Sequence, residues 1–464
     1  MDIDVFRRTD VGGRWLMIAS MIVFSIAIYA HADELDIDYG PIEIVSERPE
    51  WSERQIIVKF KEDIAEDDCS EIVRQYGCSL VRRCSFANLE LLEIPEAMRP
   101  EEMVDLIGDD PLVDYAELNY YAWTTFLPDD TLYAFQWHLD NPISGGIGME
   151  AAWDIQTGDP NVIVAVLDTG VAYEDFGSFR LAPDLAGTLF VPGYDFVNDD
   201  AHPNDDDGHG THVTGTIAQS TNNGRGVAGV AFGCSIMPVK VIGRDGFGSQ
   251  FDIAEGIYFA VRNGAHVINM SLGGGGQSRT MRDAVAFAYS WAVTVVCAAG
   301  NEFQQGNSPS YPAAYDRYCI GVGATRYDET RAFYSNTGSY VDVVAPGGDL
   351  NVDQDGDSYG DGVLQQTFRR DPNDFRYYFF QGTSMAAPHV SGAAALLVSN
   401  GISDPDMIGK ILETTAKDLG PAGWDEAYGW GLIDVGAALR LAARLDDDEI
   451  VTLADRAIPA EARP

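Results

Sequence analysis

Three polar side chains in separate parts of the sequence have the types needed for nucleophilic catalysis. Asp168 follows an apolar run, His209 lies between two glycines, and Ser384 begins an alanine-rich run. A serine hydroxyl is a weak nucleophile until a base accepts its proton, and an acid must orient that base. Brought together, these three groups would attack a carbonyl carbon and form an acyl-enzyme.

The acid and histidine motifs each have a second interpretation when taken alone. An Asp directly after a strand is often a cap or a turn residue. His209 and His212 lie in the run His-Gly-Thr-His, and two histidines beside small residues can bind a metal. No Glu lies between them as in the zinc motif H-E-x-x-H, so the sequence disfavours zinc.

The serine motif predicts the start of a helix. Thr383 and Ser384 follow a glycine and precede an apolar, alanine-rich run, and Pro388 is tolerated in a first helical turn. A helix N-terminus presents N–H groups and partial positive charge, which suits an oxyanion forming beside Ser384. His389 follows too closely along the helix to face this serine. A capped helix with a buried face of small residues is the alternative.

The order of the three motifs, with the acid first and the serine last, is that of subtilisin. Over about residues 126–442 the chain resembles the subtilisin-like serine peptidases (subtilases, peptidase family S8). The resemblance implies that Ser384 is the nucleophile, His209 the general base and then the general acid, and Asp168 the group that stabilises the imidazolium. It also implies that Asn301, in the motif Ala-Gly-Asn, supplies the oxyanion-hole side chain. A turn residue is the alternative for Asn301 alone.

The same resemblance implies two groups of substrate-binding residues. One segment is expected to pair with an extended substrate backbone, and it comprises Ser271, Leu272, Gly273 and Gly274. The walls and base of the primary specificity pocket are expected at Ala298, Ala299, Gly300 and Ser310. A neutral Ser310 at the base favours an apolar or aromatic substrate side chain. Glu302 at the rim favours a basic one, so both preferences stay open.

One loop has carboxylates at alternate positions, which indicates a site for a hard cation. Its acids are Asp353, Asp355, Asp357 and Asp361. This spacing wraps oxygen ligands around an ion such as Ca2+. The loop departs from an EF-hand, because Ser358 stands where glycine is expected. A solvated acidic loop is the alternative.

Two further calcium sites are implied by the family resemblance. The first combines side chains and carbonyls of Asp130, Asp184, Thr221, Asn223, Arg225 and Val227. The second is a loop with Asp195, Asn198 and Asp200. An acidic or turn-forming loop is the alternative for each. We therefore expect Ca2+ as a structural cofactor.

Apolar, β-rich runs alternate with helical segments in the larger part of the chain. Near-continuous apolar strands of this kind form a parallel sheet that is buried on both faces. We therefore predict an α/β protein with a mainly parallel central sheet, and the family resemblance implies that its three layers form a subtilisin-like fold. Sites in such sheets lie at the carboxyl ends of strands. The predicted strands cover residues 162–167, 236–241, 267–270, 293–298 and 320–322.

Residues 51–125 show the order β-α-β-β-α-β, which predicts a small α+β ferredoxin-like domain. In the subtilases such a segment is an inhibitor-like propeptide, so the chain's own propeptide is an expected partner. Autocatalytic cleavage is expected near residues 123–125, and an independent binding domain is the alternative. The predicted linker 33–50 precedes this domain. A peptidase domain (126–442) and an acidic C-terminal tail (443–464) follow it.

Residues 1–32 have the pattern of a cleaved export signal. Arg7, Arg8 and Arg14 precede an apolar run that ends in Ala-His-Ala, a small-x-small cleavage pattern. An uncleaved N-terminal anchor is the alternative. We expect a secreted protein, extracellular or periplasmic, without stable membrane association after signal cleavage.

The composition excludes two classes of partner. Thirty Lys and Arg residues against 72 Asp and Glu give a formal net charge of −42. Nucleic-acid binding and docking on anionic lipid both need clustered positive charge, so neither is expected. Lysine occurs only at Lys59, Lys61, Lys240, Lys410 and Lys417. The six cysteines are too sparse for a disulfide scaffold, although a bridge between Cys297 and Cys319 stays open.

The expected function is that of a secreted serine endopeptidase, made as an autoprocessed precursor and acting on protein or peptide substrates. A catalytically inactive binding or scaffold protein on a subtilase fold is the alternative. The presence of every catalytic residue type disfavours it. A serine esterase is disfavoured by the motif order and by the absence of a G-x-S-x-G elbow.

Overall fold

The computed structural model describes residues 51–62, 64–120, 126–139 and 144–445. The predicted signal peptide and linker lie outside the described residues. So do the predicted cleavage region 123–125 and the tail from residue 446 onward. Among the residues that the structure describes, no helix has the length and apolarity needed to span a membrane.

Residues 51–120 form a small unit with one four-stranded antiparallel sheet. Its elements are β1 (Trp51–Phe60), α1 (Glu66–Gln75), β2 (Ser79–Arg83), β3 (Leu89–Glu93), α2 (Pro100–Gly108) and β4 (Val113–Tyr120). The strands lie in the order β2-β3-β1-β4. Alternate residues of β1 point into the core, where Ile56, Val58 and Phe60 are fully buried beneath the two helices. The predicted α+β ferredoxin-like order is confirmed.

The large unit has a parallel sheet between layers of helices. Its strands are β5 (Ile163–Asp168), β6 (Leu189–Phe190), β7 (Tyr194–Asp195), β8 (Ser235–Lys240), β9 (Val267–Met270), β10 (Thr294–Ala298), β11 (Ile320–Thr325), β12 (Val343–Pro346), β13 (Val363–Thr367) and β14 (Arg376–Phe380). Its helices are α3 (Met149–Trp153), α4 (His209–Ala218), α5 (Gln250–Arg262), α6 (Arg279–Ser290), α7 (Thr383–Ser399), α8 (Pro405–Thr415) and α9 (Val435–Ala442).

The central sheet has the order β12-β11-β10-β9-β5-β8-β6, with β7 also paired to β8. Its pairings are parallel, as the continuous apolar runs predict. In β5 the run from Val164 to Leu167 is fully buried, because helices cover both faces of the sheet. Helix α4 packs against α7, and α5 packs against α6. The predicted three-layer α/β fold is confirmed.

The antiparallel hairpin of β13 and β14 was not predicted from the sequence. It lies between the acidic loop and the helix that begins at the serine motif. Gln365 and Gln366 are buried polar residues in β13, a pattern that does not read as a core strand. Each forms a hydrogen bond to a distant loop: Gln365 donates to the Ala228 carbonyl, and Gln366 accepts from the Asp184 N–H. The hairpin therefore ties loops of the large unit together.

All six cysteines lie in the described part of the chain and are free thiols. Cys297 and Cys319 are both buried, and burial raises the pKa of the Cys319 thiol well above its ordinary value, with the neighbouring Cys297 adding to the effect. The bridge that the sequence left open is therefore not formed in the structure.

Candidate active site

Asp168 and His209 come together at the carboxyl edge of the central sheet. Asp168 is the last residue of β5 and His209 the first of α4. The Nδ1 atom of His209 lies 2.7 Å from Oδ1 of Asp168, which is almost fully buried. Gly208, before the helix, adopts a φ of +110°, and a Cβ there would clash with the Phe368 carbonyl. A glycine is therefore required for the chain to turn into α4.

Ser384 lies in the first turn of α7. Its hydroxyl lies next to Ser271, the residue that directly follows β9. Its Oγ donates to the carbonyl of Ser271 at 3.2 Å, and the Ser271 hydroxyl donates back to the Ser384 carbonyl at 2.8 Å. Ser271 and His209 border the same groove, whose volume is about 440 Å³. Among the described residues, Nε2 of His209 has no hydrogen-bond partner. Attack would therefore need the serine hydroxyl to exchange the Ser271 carbonyl for this free nitrogen.

The charges around His209 distinguish it from the other histidines of the motifs. Burial lowers its pKa, but the carboxylates of Asp168, Asp205 and Asp207 outweigh burial and raise the pKa to about 9. Burial lowers the pKa of His212 to about 3 and that of His389 to about 4. Of these three imidazoles, only that of His209 is therefore a strong base stabilised by neighbouring carboxylates.

His212 and His389 have structural contacts instead. The Nε2 atom of His212 lies 3.1 Å from the carbonyls of Val363 and Tyr378 in the hairpin, and its ring stacks on Phe380. The Nδ1 atom of His389 lies 2.8 Å from the Met385 carbonyl, one turn earlier in α7. Neither imidazole is positioned to accept the proton of Ser384.

The side chain of Asn301 has a fixed orientation. Its Oδ1 accepts hydrogen bonds from the N–H and the hydroxyl of Thr383 at 2.9 and 3.0 Å. Thr383 therefore engages the oxygen of this amide and not its nitrogen. Thr383 was not identified from the sequence as a functional residue. Its position directly before the serine was the available signal.

The predicted backbone-pairing segment is only partly free to bind a substrate. Gly274 already pairs with Tyr311 through both backbone groups, at 3.0 and 2.8 Å. Leu272 and Gly273 have no backbone hydrogen bonds among the described residues. These two residues therefore form the open edge that an extended chain can pair with.

The residues predicted for the specificity pocket are buried or closely packed. Ser310 is buried, and a Cβ on Gly273 would clash with its hydroxyl. Ala298 and Ala299 are also buried at the end of β10, and Gly300 follows with a φ of +103°. The carboxylate of Glu302, at the rim, accepts hydrogen bonds from the Asn301 N–H and the Asn336 side chain.

Three of the four acids in the predicted cation loop come together. Carboxylate oxygens of Asp353, Asp355 and Asp361 lie within 4.8 Å of one another, whereas Asp357 is not part of this group. Burial and the negative charges of Asp355 and Asp353 raise the pKa of Asp361 to about 6. Clustered carboxylates of this kind fit a hard cation.

The predicted site around Asp130 and Asp184 is also assembled. The Oδ1 atom of Asp130 is buried and has no hydrogen-bond partner. Asp184 accepts from the side chain of Asn223 and from the Val227 N–H, both at 3.2 Å. Burial raises the pKa of both carboxyl groups. The unpartnered oxygen fits a bound cation, because buried polar atoms otherwise find a partner.

Other residues predicted for these two family-implied sites form local hydrogen bonds through side chains and N–H groups. Coordination by the carbonyls of Thr221, Arg225 and Val227 stays a prediction. The hydroxyl of Thr221 donates to the Gln219 carbonyl, and the Arg225 N–H donates to Asn223. In the second loop, Asp195 accepts from the Val197 N–H and from the N–H and side chain of Asn198, and Asp200 accepts from the His202 N–H. This second loop satisfies its buried carboxylate without a cation.

Comparison with known proteins agrees with the fold and the motifs. A model of the Subtilase family matches residues 159–431, and a model of the fervidolysin N-terminal prodomain matches residues 42–119. The thermophilic serine proteinase of Bacillus sp. (strain AK1) is 35% identical over 390 residues, which is 84% of this chain and 88% of that protein. The extracellular basic protease of Dichelobacter nodosus is 31% identical over 488 residues, 90% of this chain and 76% of that protein.

A solved structure has a similar fold. It is a protease from Pseudoalteromonas arctica, with a TM-score of 0.60 and 36% identity over 68% of this chain and 99% of that one. Fervidolysin from Fervidobacterium pennivorans is similar as well, with a TM-score of 0.54 and 28% identity over 85% of this chain and 62% of that one. The chain belongs to the subtilase family of serine peptidases and has a fervidolysin-like N-terminal prodomain.

Proposed function

We propose that this chain is an endopeptidase in which Ser384, His209 and Asp168 hydrolyse peptide bonds through an acyl-enzyme. The observation that carries the proposal is the 2.7 Å hydrogen bond between Asp168 and His209 at the groove bordered by Ser271, the partner of Ser384. An orienting acid, a free imidazole nitrogen and an adjacent alcohol are the groups that acyl transfer needs.

The reaction follows from these groups in two halves. Nε2 of His209 accepts the proton of Ser384 as Oγ attacks the carbonyl carbon, and the imidazolium then gives this proton to the departing amine. A water molecule, deprotonated by the same nitrogen, next attacks the acyl-enzyme. The imidazolium returns this proton to Oγ of Ser384 as the acid product is released. Asp168 holds the ring in the orientation that leaves Nε2 facing the groove.

The negative charge of each tetrahedral intermediate needs donors that are already in place. The N–H of Ser384, in the first turn of α7, and the amide nitrogen of Asn301, in the loop after β10, are the two proposed donors. Since Thr383 fixes the Asn301 oxygen, the amide need not reorganise during the reaction. Donors fixed in advance stabilise the transition state more than the ground state.

Maturation and export form the second part of the proposal. Two of the relatives are named extracellular proteases, and the prodomain precedes the catalytic unit in this chain. We infer that residues 1–32 direct export, and that the chain cuts itself between the prodomain and the peptidase domain near residues 123–125. The chain's own prodomain acts as an intramolecular inhibitor until it is released, and proteins or peptides are the substrates.

Calcium is the proposed structural cofactor. Asp130, Asp184 and Asn223 would hold one ion, and Asp353, Asp355 and Asp361 another. Bound Ca2+ would neutralise these carboxylates and fix their loops.

The proposal is tested by incubating the purified mature chain with an unfolded protein and locating the new termini by mass spectrometry. We expect internal cleavage that an irreversible serine-directed reagent abolishes. Cleavage that survives complete modification of the serine would contradict the mechanism, and no cleavage of any unfolded protein would support an inactive scaffold instead.

Chelation of calcium should destabilise the protein. Removing a cation leaves the buried carboxylates of Asp130 and Asp184 facing each other, so we expect a lower unfolding temperature and faster self-digestion. Binding at 100 times the dissociation constant contributes about 2.7 kcal/mol, which the chelator removes. Differential scanning fluorimetry of an Asp130→Asn variant provides the control, because its response to chelator should be smaller. An unchanged unfolding temperature after thorough chelation would contradict calcium binding.

Peptidase activity should appear on the alkaline side of neutrality. The free base is the active form of His209, and a pKa of about 9 means that the base fraction grows as the pH rises toward that value. Replacing Asp207 by Asn removes one negative charge, so the imidazolium is stabilised less and its pKa falls. We expect the acid limb of kcat/KM to move about 0.5 pH unit lower, and by less at high salt. Asp283→Asn, on the exposed face of α6, is the matched control, and equal limbs in both variants would refute the assignment.

A further inference from the structure

Lys240 is the one fully buried lysine among the five in the chain, with 1% of its surface exposed. It is the last residue of β8, and its Nζ atom donates three hydrogen bonds. The acceptors are the Thr169 carbonyl at 2.5 Å, Oδ1 of Asp206 at 2.7 Å and the Ile242 carbonyl at 3.0 Å. An ammonium group has three donors, so this buried cation is completely satisfied.

The acceptors of Lys240 belong to the loops that carry the catalytic acid and base. Lys240 lies directly opposite Asp168 in the parallel register of β5 and β8. Thr169 is the next residue after that acid, and Asp206 precedes His209 in the loop that leads into α4. The side chain of Lys240 therefore links the segment that follows Asp168 to the segment that precedes His209.

A second buried charge reinforces this link. Oδ1 of Asp205 accepts from the Thr169 hydroxyl at 2.8 Å, and Oδ2 accepts from the N–H and hydroxyl of Thr211 at 2.9 and 2.6 Å. The Thr169 hydroxyl in turn accepts from the Gly210 N–H at 2.9 Å. Burial raises the pKa of Asp205, and the positive charge of Lys240 opposes that rise. The Thr169 hydroxyl is therefore fixed by Asp205 as its acceptor and by the Gly210 N–H as its donor.

We propose that Lys240 is a positioning residue, whose ammonium group holds Asp168 and His209 in the alignment that acyl transfer needs. This inference rests on the proposed function of that pair. The third acceptor, Ile242, lines the substrate groove, and its N–H donates to the Asp168 carbonyl at 3.1 Å. Removing the cation frees three loop segments at once, and a displacement of about 1 Å at a catalytic group costs on the order of 10²-fold in rate.

The test compares Lys240→Met with Lys417→Met in the mature enzyme. Lys417 is an exposed lysine, 59% accessible, whose partner Glu329 lies outside the groove, so it controls for the loss of a lysine. We expect kcat of Lys240→Met to fall by about 10²-fold with KM changed by about two-fold or less. In Lys240→Met we also expect the low-field proton resonance of His209 Nδ1–H to shift or broaden. Lys417→Met should keep the wild-type kcat and the wild-type resonance.

A milder variant keeps the test decisive if Lys240→Met does not fold. Asp206→Asn retains an oxygen acceptor for the ammonium group and lies at a partly exposed position, so it should fold and lose about 10-fold in kcat. Wild-type kcat in both variants would overturn the inference, as would a lower kcat with an unchanged His209 resonance. Hydrolysis that persists in Ser384→Ala would instead overturn the proposed function itself, whatever the result at Lys240.

Discussion

Replacing Ser384 by Ala should abolish both peptidase activity and self-processing. The substitution removes the only atom that forms the acyl-enzyme in the proposed mechanism, and loss of such a nucleophile costs about 10⁶-fold in kcat. The fold should persist, because the hydroxyl donates just one hydrogen bond, to the Ser271 carbonyl. Turnover of a peptide substrate and N-terminal sequencing of the purified chain measure the two effects.

Ser290→Ala is the matched control for this substitution. Its hydroxyl also donates to one carbonyl, that of Phe287 at the end of α6, but it lies on an exposed surface. We expect this variant to mature and to hydrolyse peptides like the wild type. A purified Ser384→Ala chain that still removes its own prodomain would contradict autocatalytic maturation.

Replacing Asn301 by Ala should lower kcat by about 10²–10³-fold, with KM nearly unchanged. The reason is that the amide nitrogen meets negative charge only in the tetrahedral intermediate, so the substrate complex loses little. Steady-state kinetics separate the two parameters. Because Asn301 also accepts two hydrogen bonds from Thr383, the unfolding midpoint of the variant should be measured alongside.

Asn263→Ala provides the comparison for the oxyanion-hole variant. Asn263 follows α5 and donates its side-chain amide to the Phe259 carbonyl, away from the groove. Its kinetic constants should match those of the wild type. A fall in KM or kcat of the same size in both variants, or an increase in KM alone for Asn301→Ala, would show that this amide has no special role in the transition state.

The buried strands and the residues that follow them could be predicted because local pattern determines both. A continuous apolar run predicts a strand covered on both faces, and Asp168 follows such a run in β5 directly. The small unit was predictable for the same reason, since its six elements alternate with clear periodicity. The motifs around Asp168, His209 and Ser384, together with their order in the chain, then indicated the subtilase arrangement.

The contacts that refine the site are long-range and leave no local signal. The hairpin of β13 and β14 depends on buried glutamines whose partners lie more than a hundred residues away in the chain. Gly274 pairs with the backbone of Tyr311, so its own N–H and carbonyl are already used at the predicted substrate edge. In the acidic loop, the spacing of the acids predicted four carboxylate ligands, but the fold brings only three of the four together. Spacing in the sequence gives the position of a side chain along the backbone, but not the groups that it contacts in the fold.

The most direct test of the central claim is labelling of the mature chain with a fluorophosphonate, followed by mass spectrometry of the modified peptide. The reagent reacts with a serine whose proton is accepted by a neighbouring base. We predict one label per chain, on Ser384, formed faster as the pH rises toward 9, and none in a folded His209→Ala variant. A label on another residue, or equal labelling of Ser384 without His209, would contradict the account.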